Sequence, residues 1–151
     1  MSEIDRESLF ANERLLIGML QAISGASVVA TISQWDALVK HARIYGVLIF
    51  LTAMAIALML AVLAAFWKHE YKKWDVKASI SRQNADNVVG KVHHEHLRPG
   101  FLDEAQERFD RASRYLTWMR KALLSATAII LFAIGELITF VWLNHLGVLA
   151  G

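Results

Sequence analysis

The fold is decided by residues 44–80, which read IYGVLIFLTAMAIALMLAVLAAFWKHEYKKWDVKASI. Residues 44–67 carry no charge, whereas from Lys68 onward only every third or fourth residue stays apolar or small. About 20 apolar residues, rising 1.5 Å each, cross a hydrocarbon core roughly 30 Å thick. The stretch therefore predicts a transmembrane helix that continues beyond the membrane as an amphipathic helix.

Two further apolar stretches accompany this segment. Residues 15–35 carry no charge, and the stretch from Ala122 to the end has Glu136 as its only acidic residue. The 151-residue chain is 56% apolar, with a mean hydropathy of +0.37, which exceeds the apolar content of ordinary soluble domains. A soluble bundle that buried three such helices would need more polar helix than the chain contains. We therefore predict an all-α integral membrane protein with three transmembrane helices.

The distribution of basic residues predicts the orientation. Twelve of the 16 Lys and Arg residues lie between Lys68 and Lys121, and the positive-inside rule places that segment in the cytoplasm of a bacterial-type inner membrane. The N-terminus is then inside, and both the connection 36–43 and the C-terminus are outside. Trp and Tyr fall at both predicted interfaces, as membrane proteins prefer: Trp35, Tyr45 and Trp142 outside, and Trp67, Tyr71, Tyr115 and Trp118 inside.

The segment between spans two and three predicts a helical hairpin. Apolar or small residues recur in alternating steps of three and four on both sides of the turn-forming sequence HHEHLRPG, residues 93–100. This a/d pattern predicts an antiparallel coiled coil over 68–120, between an N-terminal part (1–67) with two spans and a C-terminal part (121–151) with the third. The predicted seam contains Trp74, Ala78, Ser81, Phe109, Ala112 and Leu116.

Two further considerations bear on the hairpin. Acid-before-base pairs at i,i+4 support its returning helix: Glu104–Arg108, Glu107–Arg111 and Asp110–Arg114. The alternative is two separate amphipathic helices on the bilayer surface. Such helices usually show an apolar face broader than an a/d seam, so we favour the hairpin.

Glu136 is the candidate polar site inside the membrane. A carboxylate at the centre of a transmembrane helix is unfavourable by about 2.5–3.5 kcal/mol, so it is expected to face other helices. Ser24, Ser27 and Thr52 are predicted at the same depth. Glu136 then either handles protons or cations or forms an interhelical hydrogen bond. Packing is favoured, because relays usually contain several ionisable residues.

Two other sets of residues predict contacts with helices or lipid. Small residues on span one fit the small-xxx-small spacing of close helix packing: Gly18, Ala22, Gly25 and Ala26. They serve either dimerisation or packing within the chain. Four lysines directly beyond span two suit anionic lipid headgroups: Lys68, Lys72, Lys73 and Lys77. These lysines also determine topology.

The sequence gives little support for metal, cofactor or nucleic-acid binding. His93, His94 and His96 are weak metal candidates, because no further ligand group stands at a usual spacing. No cysteine is present to form a disulfide or a thiolate site. Catalytic motifs and phosphate-binding loops are missing from the sequence, so we expect neither an enzyme nor a cofactor. Acidic residues within the hairpin argue against nucleic acid as a partner.

These expectations lead to two functional hypotheses. In the first, the chain is a non-enzymatic inner-membrane interaction protein or accessory subunit. Its cytoplasmic hairpin docks a protein of a membrane complex or associates with further copies of the chain. In the second, an oligomer forms an ion or proton channel, or disrupts the membrane, and uses Glu136 from several copies. Membrane lipid is a partner in both.

Overall fold

The computed structural model describes the backbone of residues 3–89 and 94–147, with side chains from residue 11 onward. These residues form three long helices: α1 (Glu3–Ser33), α2 (Trp35–Val88) and α3 (Arg98–His145), with a 3-10 turn (Glu95–Leu97) before α3. No strand occurs within these ranges. The prediction of an all-helical chain is confirmed. Each long helix also has the length and apolar content needed to cross a membrane.

The reversal between the first two spans is sharper than predicted. Backbone bonds carry the helical pattern past Gln34, whose N–H donates to Ala30 at 2.9 Å and whose carbonyl accepts from Leu38 at 3.0 Å. Inside α2, Arg43 alone has non-helical backbone angles, φ 56° and ψ 162°. The Gln21 side-chain amide donates to the Ala61 carbonyl at 3.5 Å, so α1 and α2 meet at these two residues. The residue halfway between them in sequence, where the chain would reverse, is His41. The chain therefore turns back near Arg43, and residues 35–42 are helical.

The chain divides into two compact units, one formed by Met1–Leu63 with Ala122–Gly151 and the other by Ala64–Lys121. In the first unit, buried side chains follow a three-four spacing along α2 and α3. They are Val47, Phe50, Met54, Ala57 and Ala61 on α2, and Ala122, Leu123, Ala126, Ile130 and Ala133 on α3. Large apolar residues such as Leu124 and Leu131 are exposed, as is usual for helices whose solvent is lipid.

In the second unit, the buried positions are mostly small. Ala64, Ala78 and Ala85 on α2 and Ala105 and Ala112 on α3 are each less than 9% exposed. Within each helix these alanines are separated by seven residues or a multiple of seven. Two turns of helix bring the same face around again, so each arm buries one narrow stripe of methyl groups.

Candidate functional site: a helical hairpin with a polar lock

The two arms of the second unit pack in opposite directions. The Trp67 and Trp118 ring centroids are 6.0 Å apart. Farther along α2, the Trp74 ring lies 5.0 Å from the Arg111 guanidinium carbon, and Ser81 donates to Glu104 at 3.3 Å. Contacts on α3 thus move toward its start as α2 advances, which is antiparallel pairing.

The alanine stripes set how the arms meet. Three of these alanines have 3% or less of their surface exposed: Ala85, Ala105 and Ala112. Small side chains at the contact favour the short end of the usual 8–10 Å separation between helix axes. A stripe of methyl groups leaves no room for a larger residue, so overpacking there is expected to be unfavourable by about 1–3 kcal/mol.

A group of polar side chains, here called the polar lock, crosses the seam at Arg108. The Arg108 guanidinium donates through Nη1 to the Lys77 carbonyl at 3.2 Å and to the Ser81 hydroxyl at 2.9 Å. Its Nη2 pairs with Glu104, which also accepts from Ser81. Ser81 is only 1% exposed. Because hydrogen bonds to charged groups contribute about 1.5–3 kcal/mol, the polar lock favours one alignment of the arms.

The three predicted i,i+4 pairs on α3 have different outcomes. Glu104–Arg108 and Glu107–Arg111 are confirmed, the latter at 2.7 Å. Asp110 instead accepts from the Gln106 amide at 2.9 Å. An Asp110–Arg114 pair is not among the ion pairs of the residues that the structure describes.

One predicted seam residue is placed differently. Ala78, Ser81 and Ala112 are buried, and Trp74 and Leu116 are half-buried, but Phe109 is 45% exposed. Arg108, one position earlier and therefore 100° around the helix, points at α2 in its place. The seven-residue spacing alone fits either residue at this seam position. Arg108 occupies the position because it finds hydrogen-bond acceptors on the other arm.

Aromatic and basic side chains are stacked at the end of the hairpin nearest the spans in sequence. Tyr115 and Trp118 pack edge to face, with ring centroids 5.7 Å apart. Lys77 Nζ lies 4.8 Å from the centroid of the Trp74 ring, and the Arg111 guanidinium lies over the same ring. Both contacts have cation–π geometry. The Trp74 Nε1 atom is buried without a hydrogen-bond partner.

The four lysines proposed for lipid headgroups are not equivalent. Lys68 is 9% exposed, so most of its surface is covered by the protein and little of it is open to headgroups. Lys77 is half-buried and lies over Trp74. Lys72 and Lys73 are exposed, and Lys73 is 3.5 Å from Glu70. Lys72 and Lys73 are thus the two of the four lysines whose side chains are exposed.

Glu136 is half-buried on α3, and its carboxylate has no hydrogen bond or ion pair with the residues that the structure describes. The hydroxyls expected near it are engaged or placed elsewhere. Ser24 donates to the Leu20 carbonyl, and Thr52 is exposed. Ser27 accepts from Thr31 at 2.7 Å through its carbonyl. Within the described residues, Thr52 and Ser24 therefore form no hydrogen bond with Glu136.

The small-residue face of α1 has no partner among the described residues. Gly18, Ala22 and Ala26 are exposed, and Gly25 is half-buried. A Cβ atom added at Gly18 or Gly25 would meet nothing within 4 Å. Packing of this face against the chain's own spans, one of the two alternatives, is thus not what the structure shows.

The histidine-rich turn contains no assembled metal site within the described part of the chain, where no group of three or more His, Cys, Asp or Glu side chains converges. His94 and His96 are exposed. His93 lies outside the described residues.

The contacts of α3 with the first chain reversal were not predicted from the sequence. A Cβ atom at Gly46 would lie 2.8 Å from Phe140 Cγ. The Asn144 side-chain amide donates to the Lys40 carbonyl at 3.3 Å. A break in helical geometry interrupts i+4 bonding of the carbonyls in the preceding turn, and Asn144 donates to one carbonyl of that turn, at Lys40. A glycine inside an apolar span and an asparagine at the end of another were the available signals.

Comparisons with known families, curated proteins and solved structures found no match to this chain.

Proposed function

We propose that this chain is a non-enzymatic membrane interaction protein or accessory subunit whose hairpin is the docking element. The observation that carries the proposal is the polar lock, in which Arg108 of α3 donates to Ser81 and the Lys77 carbonyl on α2 and pairs with Glu104 on its own helix. Together with the alanine stripes, it gives a stiff scaffold. Binding sites on rigid elements lose less conformational entropy on association.

The outer surfaces of this scaffold carry large apolar side chains. Val76 and Ile80 on α2 and Leu102 and Phe109 on α3 are between 43% and 57% exposed. The high density of Lys and Arg in this segment supports a cytoplasmic location, so these side chains would meet water instead of lipid. Exposed apolar residues on an otherwise charged surface are typical of protein interaction sites.

The coiled-coil description is part of this proposal. Buried residues at seven-residue spacing, antiparallel contacts and the polar lock support it. A polar layer of this kind specifies register in coiled coils. The hairpin would then present a fixed arrangement of side chains to its partner.

Site-specific photo-crosslinking in cells would test the docking role. A photoreactive amino acid is placed at Phe109 or at Ile80, and at Leu131 in the third span as a matched apolar control. We expect a discrete protein adduct from a hairpin position and lipid adducts from Leu131. The same adduct should weaken with Arg108→Ala, which loosens the scaffold. Hairpin positions that form no protein adduct would contradict the proposal.

The channel hypothesis remains the second candidate because one observation favours it. Glu136 is a half-buried carboxylate without a partner among the described residues. A second copy of the chain could supply a partner, and several copies could surround a polar path. The single ionisable side chain per third span still favours packing over ion conduction.

A further inference from the structure

We propose that the edge of α3 formed by Leu102, Phe109 and Leu116, here called the α3 stripe, binds a basic amphipathic helix of another protein. The inference rests on the proposed docking function and names the chemistry of the partner. The three residues are separated by seven positions, so they recur on one side of the helix every two turns.

The α3 stripe lies beside the buried seam and is separate from it. Leu102 and Phe109 are 43% and 45% exposed, whereas Ala105 and Ala112 on the seam are 3% and 0% exposed. Leu116 is half-buried. A row of large apolar residues at heptad spacing is the surface that receives an amphipathic helix.

The charges around the α3 stripe indicate which charge the partner helix carries. An exposed aspartate directly follows each of the two exposed apolar residues: Asp103 follows Leu102, and Asp110 follows Phe109. Each aspartate lies 100° farther around the helix than the apolar residue before it. Residues 78–110 contain four Lys or Arg and six Asp or Glu, whereas 68–77 together with 111–121 contain eight and two. The part of the hairpin that carries Leu102 and Phe109 is thus acidic, whereas Leu116 lies in the basic part. The acidic rim of the α3 stripe is therefore formed by Asp103 and Asp110.

A second copy of this chain fits the α3 stripe poorly. Two copies inserted in one membrane with the same orientation would bring their α3 helices together in parallel. Residues at the same level would then meet, placing Asp103 beside Asp103 and Asp110 beside Asp110. Like charges at such positions are unfavourable, and opposite charges at the rim steer association. A helix with Leu or Ile at a and d and Lys or Arg beside them meets both requirements.

Peptide binding to the full chain in nanodiscs of neutral phosphatidylcholine would test this inference. The probe is a fluorescent three-heptad peptide with Leu at a and d and Lys at the flanking positions. The comparison peptide has Glu in place of each Lys. We expect the Lys peptide to bind, the Glu peptide to bind at least about tenfold more weakly, and the Lys peptide to lose affinity as salt screens the charges.

Variants locate the binding surface. We expect Phe109→Ser, and separately Asp103→Asn with Asp110→Asn, each to weaken the Lys peptide about tenfold. Val89→Ser on the other arm, an exposed apolar residue (54%) outside the proposed docking surface, should leave binding unchanged, and circular dichroism checks that every variant stays helical. Equal loss with Val89→Ser, equal binding of the two peptides, or no binding would overturn the inference. Protein adducts from the crosslinking experiment combined with no peptide binding would refute only the partner chemistry.

Discussion

The Phe140 ring lies so close to Gly46 that a Cβ atom at the glycine would stand 2.8 Å from the ring Cγ. This contact joins the third span to the start of the second, one helical turn beyond the chain reversal at Arg43. Moving the α2 backbone at Gly46 away from α3 would break this contact.

Gly46→Ala should therefore destabilise the protein, by about 1–3 kcal/mol for an overpacked contact. Gly135→Ala in the third span is the matched control, because a Cβ atom there meets nothing within 4 Å. That control should be neutral or stabilising by up to about 1 kcal/mol, the helix preference of Ala over Gly. Thermal unfolding in mild detergent measures both. Adding Phe140→Ala to Gly46→Ala should reduce the penalty of the alanine; a purely additive double variant would show that the contact is not the cause.

Arg43→Gly should stabilise the chain. Arg43 has a φ of 56°, a conformation that is unfavourable for residues with a Cβ atom and open to glycine. The gain is expected to be about 1 kcal/mol, reduced by the greater freedom of glycine in the unfolded chain. His41→Gly in the helical stretch just before the break should instead destabilise by about 1 kcal/mol. Thermal midpoints that fall equally in both variants would contradict the assigned conformation of Arg43.

Arg108→Ala should loosen the hairpin. The substitution leaves the Lys77 carbonyl and Ser81 without their shared donor, a loss of about 1.5–3 kcal/mol. Because the chain has no native cysteine, spin labels can be attached only at engineered cysteines, here at Ser79 and Gln106. We expect a narrow distance distribution that broadens in Arg108→Ala. Arg114→Ala, an exposed arginine outside the polar lock, should leave it narrow, and equal broadening in both would refute the role of Arg108.

Lys72→Gln and Lys73→Gln should each weaken retention of anionic lipid by about 1 kcal/mol. Both lysines are exposed, and both follow the second span closely in sequence. Native mass spectrometry of the purified protein with phosphatidylglycerol and phosphatidylcholine measures the preference. Arg82→Gln and Arg98→Gln, exposed bases far from the spans in sequence, serve as controls. An unchanged preference in the lysine variants would remove these residues from lipid recognition.

Glu136→Gln separates packing from conduction. Under the leading proposal, purified chain in liposomes gives no proton or cation flux, and the variant inserts as well as the native protein. Flux that is present in the native chain and absent in Glu136→Gln would favour the channel hypothesis instead. Particle mass in mild detergent adds a second criterion, because one carboxylate per chain cannot surround a path in a monomer.

The helical architecture was predictable from the sequence because hydropathy and the seven-residue period are properties of long segments. Single positions were less predictable. Arg108 and Phe109 both satisfy the period, and only acceptors on the other arm decide between them. Lys68 is charged yet covered by the protein, which composition cannot reveal. The break at Arg43 has no local signal, since arginine has no preference for positive φ.

The alanine repeat has a consequence for how the arms can shift. On both helices the same small residue returns after seven positions. The Trp74–Arg111 and Ser81–Glu104 contacts place Ala78 at a level between Ala105 and Ala112, and displacing one arm by about 10 Å, the rise of one heptad, would bring Ala85 to that level. Methyl contacts discriminate weakly between the two alignments. Ser81 and Arg108 occur once each, and the slipped hairpin would separate them. Removing this polar group would therefore reduce the difference in free energy between the native alignment and the slipped one.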